Sequence, residues 1–134
     1  MNTNEWGQLR KVIVGVADHA KIPDDIDISL RCVNFADKLD ETEIIKGPYP
    51  SKVIEEANED LETFVKFLEG ESVDVLRPIN NDSIPVHYYD YCPRDIVFLH
   101  GEHAIATPQP IRARNQNYQS IAHHLPGLVE APRY

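Results

Sequence analysis

An α/β (α+β) fold with a mixed sheet is the class this sequence predicts, on three observations. Val12-Ile13-Val14-Gly15-Val16 is an apolar, largely β-branched run of the kind that fills a buried strand. Residues 51–69 place Val53, Ile54, Ala57, Leu61, Phe64, Val65 and Leu68 on one stripe at helical spacing. Strand-like runs then follow that helix, so the two kinds of element alternate along the chain.

Taken in order, Trp6 to Ala17 is predicted as the first strand, and Gly15 within it marks a bulge or a close backbone approach. Residues 18–50 are acidic and irregular, with turn chemistry at Pro23-Asp24-Asp25 and Gly47-Pro48-Tyr49-Pro50. Phe35, Leu39, Ile44 and Ile45 allow one short helical turn or an ordered loop there. Ser51 stands where an N-cap belongs and Gly70 where a C′ residue belongs, bounding the long helix. Most of its acidic side chains fall off the apolar stripe, on the solvent face.

Ser72 to Arg77 alternates and is predicted as a strand closed by Pro78. Residues 79–91 form a polar, tyrosine-rich connection. Asp95 to Leu99 and Ala104 to Thr107 are predicted strands, the first of them buried, joined by a hairpin turn at His100-Gly101-Glu102-His103. Residues 112–124 are expected as a polar helix, weakly amphipathic through Ala113, Tyr118, Ile121 and Ala122, and Pro126-Gly127 stops it. The tail from Leu128 to Tyr134 has the composition of a further strand. One domain spanning residues 1–134 is expected from this length.

The formal net charge is −9. Nineteen of the Asp/Glu and nine of the Lys/Arg lie in residues 1–93, so the acidity is concentrated there. An acidic surface of this kind argues against nucleic acid and against an anionic membrane as partners. It is compatible with a small cation such as arginine. No apolar run reaches the length of a membrane span, and the first residues show neither a basic n-region nor an apolar h-region. With two cysteines, Cys32 and Cys92, reduced thiols in the cytoplasm are expected. Asn81-Asp82-Ser83 matches a glycosylation sequon, which has no meaning without secretion.

Chemistry concentrates at Tyr91-Cys92-Pro93-Arg94-Asp95. Asp95 stands at the mouth of an apolar strand, after a proline that fixes the backbone. A guanidinium is the cation such a carboxylate fits best, because two oxygens match two N–H groups. The plainer alternative is an aspartate that caps a turn or pairs with Arg94. Cys92 and Cys32 lack any sequence sign of activation as nucleophiles. His100, His103, His123 and His124 do not complete a zinc set, so solvent-facing roles are expected and no metal or cofactor site is assigned. Tyr88, Tyr89 and Tyr91 are expected to pack near a loop. Arg112 and Arg114 suit a carboxylate, although exposed charges at a helix start are the simpler expectation.

Four stretches in order resemble the amidinotransferases of the guanidino-modifying (pentein) superfamily. They are residues 4–15, Ile54 to Leu61 continuing to Val75-Leu76-Arg77-Pro78, Cys92-Pro93-Arg94-Asp95, and Ala106-Thr107-Pro108 with Arg112-Ala113-Arg114. The similarity covers most of the chain and is weakest in residues 18–50 and the tail. It is to glycine and inosamine-phosphate amidinotransferases, and it implies a β/α propeller of five ββαβ modules, of which roughly one and a half would be present here. It also implies transfer of an amidino group from arginine to an amine through a cysteine-bound intermediate. Asp95 matches the carboxylate that holds the substrate guanidinium, and Arg94 is expected to position the loop. The family's catalytic histidine and cysteine find no match before Tyr134. The expectation is therefore the N-terminal part of such an enzyme, with no catalytic residue of its own and no transfer in isolation. A guanidino-binding or self-associating module is the alternative.

Overall fold

Parallel strands cannot be joined by a tight turn, so a pair of them needs a long crossover between. The helix anticipated at residues 51–69 supplies it. In a computed structural model, which describes residues 6–38, 40–80 and 88–131, strand β1 (Lys11–Ile13) pairs in parallel with β4 (Asp74–Leu76), and helix α2 (Ser51–Gly70) lies between them in the chain. Val14, Val65, Leu68 and Val73 form the buried contact of helix on strands, with Val12, Leu61 and Val75 packed around it. At the exit of β1, Asn58 of α2 accepts a hydrogen bond from the Ala17 N–H at 2.9 Å and donates to Asp18 at 2.8 Å.

The ends of α2 differ from expectation. Pro50 takes the N-cap place with extended backbone (ψ 138°) and no side-chain bond, so Ser51 is already helical. At the other end the helix includes Gly70, and the left-handed residue is Ser72 (φ 63°). The stripe is also narrower than expected. Ile54, Ala57 and Leu61 are partly buried and Val65 and Leu68 fully, whereas Val53 and Phe64 are half exposed and Phe67 more so.

The irregular segment holds more structure than its sequence announced. Strand β2 (Lys21–Ile22) pairs antiparallel with β3 (Gly47–Pro48). Helix α1 (Ile28–Asn34) starts where the Asp27 carboxylate accepts from the Leu30 N–H at 3.0 Å, and it buries Leu30 almost completely. Seven residues are too few to display a helical period, which is why no pattern revealed it.

The hairpin forms as anticipated. Strand β5 (Val97–His100) pairs antiparallel with β6 (His103–Ala106), His100 faces His103 in register, and Gly101 adopts φ 55°. Strand β7 (Val129–Glu130) then adds in parallel to β6. Two expectations fail here. Asp95 is not on β5 but on a single 3-10 turn, Pro93–Asp95, that leads into it. Nor is β5 buried: Ile96, just before it, takes the core position, while Phe98 and Leu99 are exposed.

Residues 112–124 do not form one helix. They make three separate 3-10 turns, Arg112–Arg114, Asn117–Ser120 and Ala122–His124. The cause lies in what the polar side chains do. Asn117 and Ser120 are buried and spend their side chains on a distant carboxylate, so the segment bends around that contact with i→i−3 bonds in place of an i→i−4 ladder.

Candidate functional site

The segment from Tyr88 to Ile96 is held from below by backbone, from the side by a buried carboxylate, and from its far end by side chains of residues 107–114. Gly15 provides the first hold. A Cβ built there would lie 2.3 Å from the Asp90 carbonyl oxygen and 2.6 Å from Tyr91 backbone atoms, so only glycine lets the two backbones meet. The close approach read from the sequence is thus real, and the Val16 N–H donates to the Asp90 carbonyl beside it at 3.2 Å.

Asp90 provides the second hold, and sequence reasoning missed it. Its side chain is buried and accepts from Ser120 Oγ at 2.8 Å, from Asn117 Nδ2 at 3.3 Å and from Asn80 Nδ2. Carboxylate oxygens accept, and both amide nitrogens face them. The buried amide oxygens of Asn80 and Asn117 consequently have no hydrogen-bond partner among the described residues.

The third hold shapes the Asp95 turn itself. Gln109 Nε2 donates to the Asp95 carbonyl at 3.1 Å and to Thr107 Oγ1 at 2.9 Å, while the Thr107 N–H donates to the Ile96 carbonyl at 3.1 Å. The Arg114 side chain, only 14% exposed, donates from Nη2 to the Cys92 carbonyl at 3.1 Å and places Nη1 3.4 Å from Asp95 Oδ2. Its guanidinium carbon lies 5.4 Å from the centre of the Tyr89 ring. Arg114 is therefore not the exposed charge expected of a helix start. Arg94, expected to position the loop, projects into solvent with its side chain 96% exposed, and its Nε lies 3.6 Å from Asp95 Oδ1. Loop positioning falls to Gln109 and Arg114 instead.

Asp95 thus stands on a fixed turn with its side chain 47% exposed. A shallow cleft nearby is lined by Thr107, Gln109, Asn115, Tyr118 and Glu130, with the Tyr118 hydroxyl donating to the Glu130 carboxylate. It shares Gln109 with the Asp95 turn, and Asp95 is not among its lining residues.

Burial pushes the Cys92 thiol above its ordinary pKa, against the opposing pull of Arg114, which is the wrong direction for a nucleophile. Cys32 is exposed. Burial likewise pushes the Tyr91 hydroxyl up to about 12. Tyr88 takes the Lys21 ammonium 4.5 Å from its ring centre. Arg112 reaches Asp25 at 3.2 Å, and its backbone N–H caps Asp27 at 2.9 Å. His124 Nε2 lies 2.8 Å from the Arg77 carbonyl, which makes that nitrogen a donor; burial and the adjacent His124 ring lower the His123 pKa. Among the described residues no three His, Cys, Asp or Glu side chains converge as a metal site would require. The sequon at Asn81-Asp82-Ser83 lies outside the described residues.

An inosamine-phosphate amidinotransferase of Streptomyces glaucescens is 35% identical to this chain over 121 residues, a match covering 83% of this chain and 34% of that protein. The chain is a homologue of the amidinotransferases. An L-arginine:L-lysine amidinotransferase of Pseudomonas savastanoi pv. phaseolicola is similar to it at 29% identity, over 82% of this chain and 33% of that protein. Among solved structures, an inosamine-phosphate amidinotransferase from Streptomyces griseus superposes with a TM-score of 0.85 at 29% identity, covering 99% of this chain and 43% of that one. An amidinotransferase of Microseira wollei shares the fold, with a TM-score of 0.73. No protein-family model matches the chain. This amidinotransferase homologue spans about a third of the length of the curated relatives it matches.

Proposed function

We propose that this chain supplies the guanidinium-holding carboxylate of an amidinotransferase, and that the carboxylate is Asp95. The observation that carries the reading is the half-exposed Asp95 side chain on a turn anchored by Gln109 and Arg114, in a chain homologous to amidinotransferases. The chemistry follows from orientation. A guanidino carbon is a poor electrophile, and a carboxylate gripping the planar N–H face fixes it for attack. A thiolate other than Cys32 or Cys92 attacks that carbon, the C–N bond to the donor amine breaks, and the departing amine (ornithine, if arginine is the donor) takes up a proton. An acceptor amine then attacks the amidino-thioether, and the thiolate is released.

On this reading the described residues bind and orient but do not transfer. Cys92 is half buried with a raised pKa and Cys32 is unsupported, so purified chain releases no ornithine from arginine. Free thiols at both cysteines suit a reducing, cytoplasmic setting. No described helix is long and apolar enough to cross a membrane. Titration calorimetry with L-arginine tests the site. Binding that Asp95→Asn reduces at least about tenfold, the equivalent of one charge-assisted hydrogen bond, is the expected result. Absence of binding by the wild type overturns the assignment.

One observation favours a second reading, an association module. Phe64 and Phe67 on α2 and Phe98 and Leu99 on β5 are half exposed or more, an unusual amount of aromatic and aliphatic surface. Light scattering across a concentration series is expected to show self-association that Phe64→Ser and Phe67→Ser weaken together. A monomer at every concentration removes this reading and leaves the first intact.

A further inference from the structure

We propose that Arg114 sets the ligand affinity of the Asp95 site by occupying part of it with a guanidinium of the chain's own. The inference rests on the reading of Asp95 as a guanidinium-holding carboxylate and adds the residue that regulates it. Arg114 presents to Asp95 the same chemical group that an external ligand would bring. Its Nη1 lies 3.4 Å from Oδ2. The side chain is 14% exposed, tied through Nη2 to the Cys92 carbonyl and set against the Tyr89 ring, and its buried Nε has no acceptor. A guanidinium held this way does not leave without giving up its bond to the Cys92 carbonyl and its contact with the Tyr89 ring.

The opposite edge of the carboxylate is different. Among the described residues the ion-pair partner of Oδ1 is the solvent-projecting Arg94 at 3.6 Å, and so loose a pair exchanges freely with a ligand. A forked guanidinium–carboxylate grip needs both oxygens. With Arg114 already engaging Oδ2, an incoming guanidinium shares that oxygen and docks beside a fixed positive charge. Arg114 therefore does two opposed things: it orients Asp95 and it weakens Asp95 as a cation receptor. Removing the charge while keeping the bulk separates the two.

The test is calorimetric titration of L-arginine into the full chain as wild type, Asp95→Asn, Arg114→Met and Arg114→Lys, with far-UV circular dichroism confirming the fold of each. Arg114→Met is expected to bind roughly fivefold more tightly than wild type, and Arg114→Lys, which keeps the charge, no more tightly. Should Arg114→Met fail to fold, Arg114→Gln is read by the same criterion. Binding by wild type that Asp95→Asn abolishes, with no gain in Arg114→Met, overturns this inference and leaves the Asp95 assignment standing. No binding by the wild type overturns both.

Discussion

Asp90→Ala is expected to lower the stability of the folded chain by about 4 kcal/mol, a loss read as a shift of the urea midpoint at unchanged slope. Asp90 is 4% exposed, and its carboxylate is the acceptor shared by Ser120 Oγ, Asn117 Nδ2 and Asn80 Nδ2. Truncation leaves the Asn117 and Asn80 amide donors buried without that acceptor, while Ser120 Oγ keeps the Asn117 carbonyl at 2.9 Å. A buried polar group left unsatisfied costs about 1–3 kcal/mol, and two such groups account for the expected loss. Asp90→Asn keeps the shape but offers one oxygen and two new donors, so a smaller loss is expected from it. A loss under about 1 kcal/mol in the alanine variant would mean that water already reaches these groups.

The same network explains what the sequence concealed. Helix α2 and the strand runs of β1 and β4 were readable because apolar periodicity is local, and the hairpin because Gly101 sits between two β-runs. Residues 112–124 were misread because their composition is helical while their side chains answer to a residue far away: Asn117 and Ser120 reach Asp90 across 27 and 30 positions. No window along the chain carries that information. The proposal for Asp95 comes from Pro93-Arg94-Asp95 and its resemblance, and the neighbours of that residue were not legible there. The pairing with Arg114 spans 19 residues, and nothing in Arg112-Ala113-Arg114 says which arginine turns inward. The run Tyr88-Tyr89-Asp90-Tyr91 did hold one usable sign, a lone acid among aromatics, where burial demands hydrogen-bond partners. Helix α1 and strands β2 and β3 escaped because each is too short for its period to register.

Two glycines are expected to respond to alanine with opposite signs, and the larger response bears on the site. In Gly15→Ala the new Cβ would stand 2.3 Å from the Asp90 carbonyl oxygen and 2.6 Å from Tyr91 Cα and carbonyl carbon. All three are backbone atoms, so no side-chain rotation relieves the contact and the chain just after β1 must part from the segment that carries Asp95. The Val16 to Asp90 backbone bond is stretched in the same movement. A loss of about 3 kcal/mol is expected, together with weaker arginine binding, since the turn above Asp90 loses its floor. Gly70→Ala is the control. It lies at the end of α2 with nothing within 4 Å of the added carbon, so removing a helical glycine should stabilise by about 0.5–1 kcal/mol. If Gly15→Ala were neutral, the close approach of β1 to Asp90 would be absent in solution. The segment carrying Asp95 would then be held only by the Asp90 side-chain network and by Gln109 and Arg114.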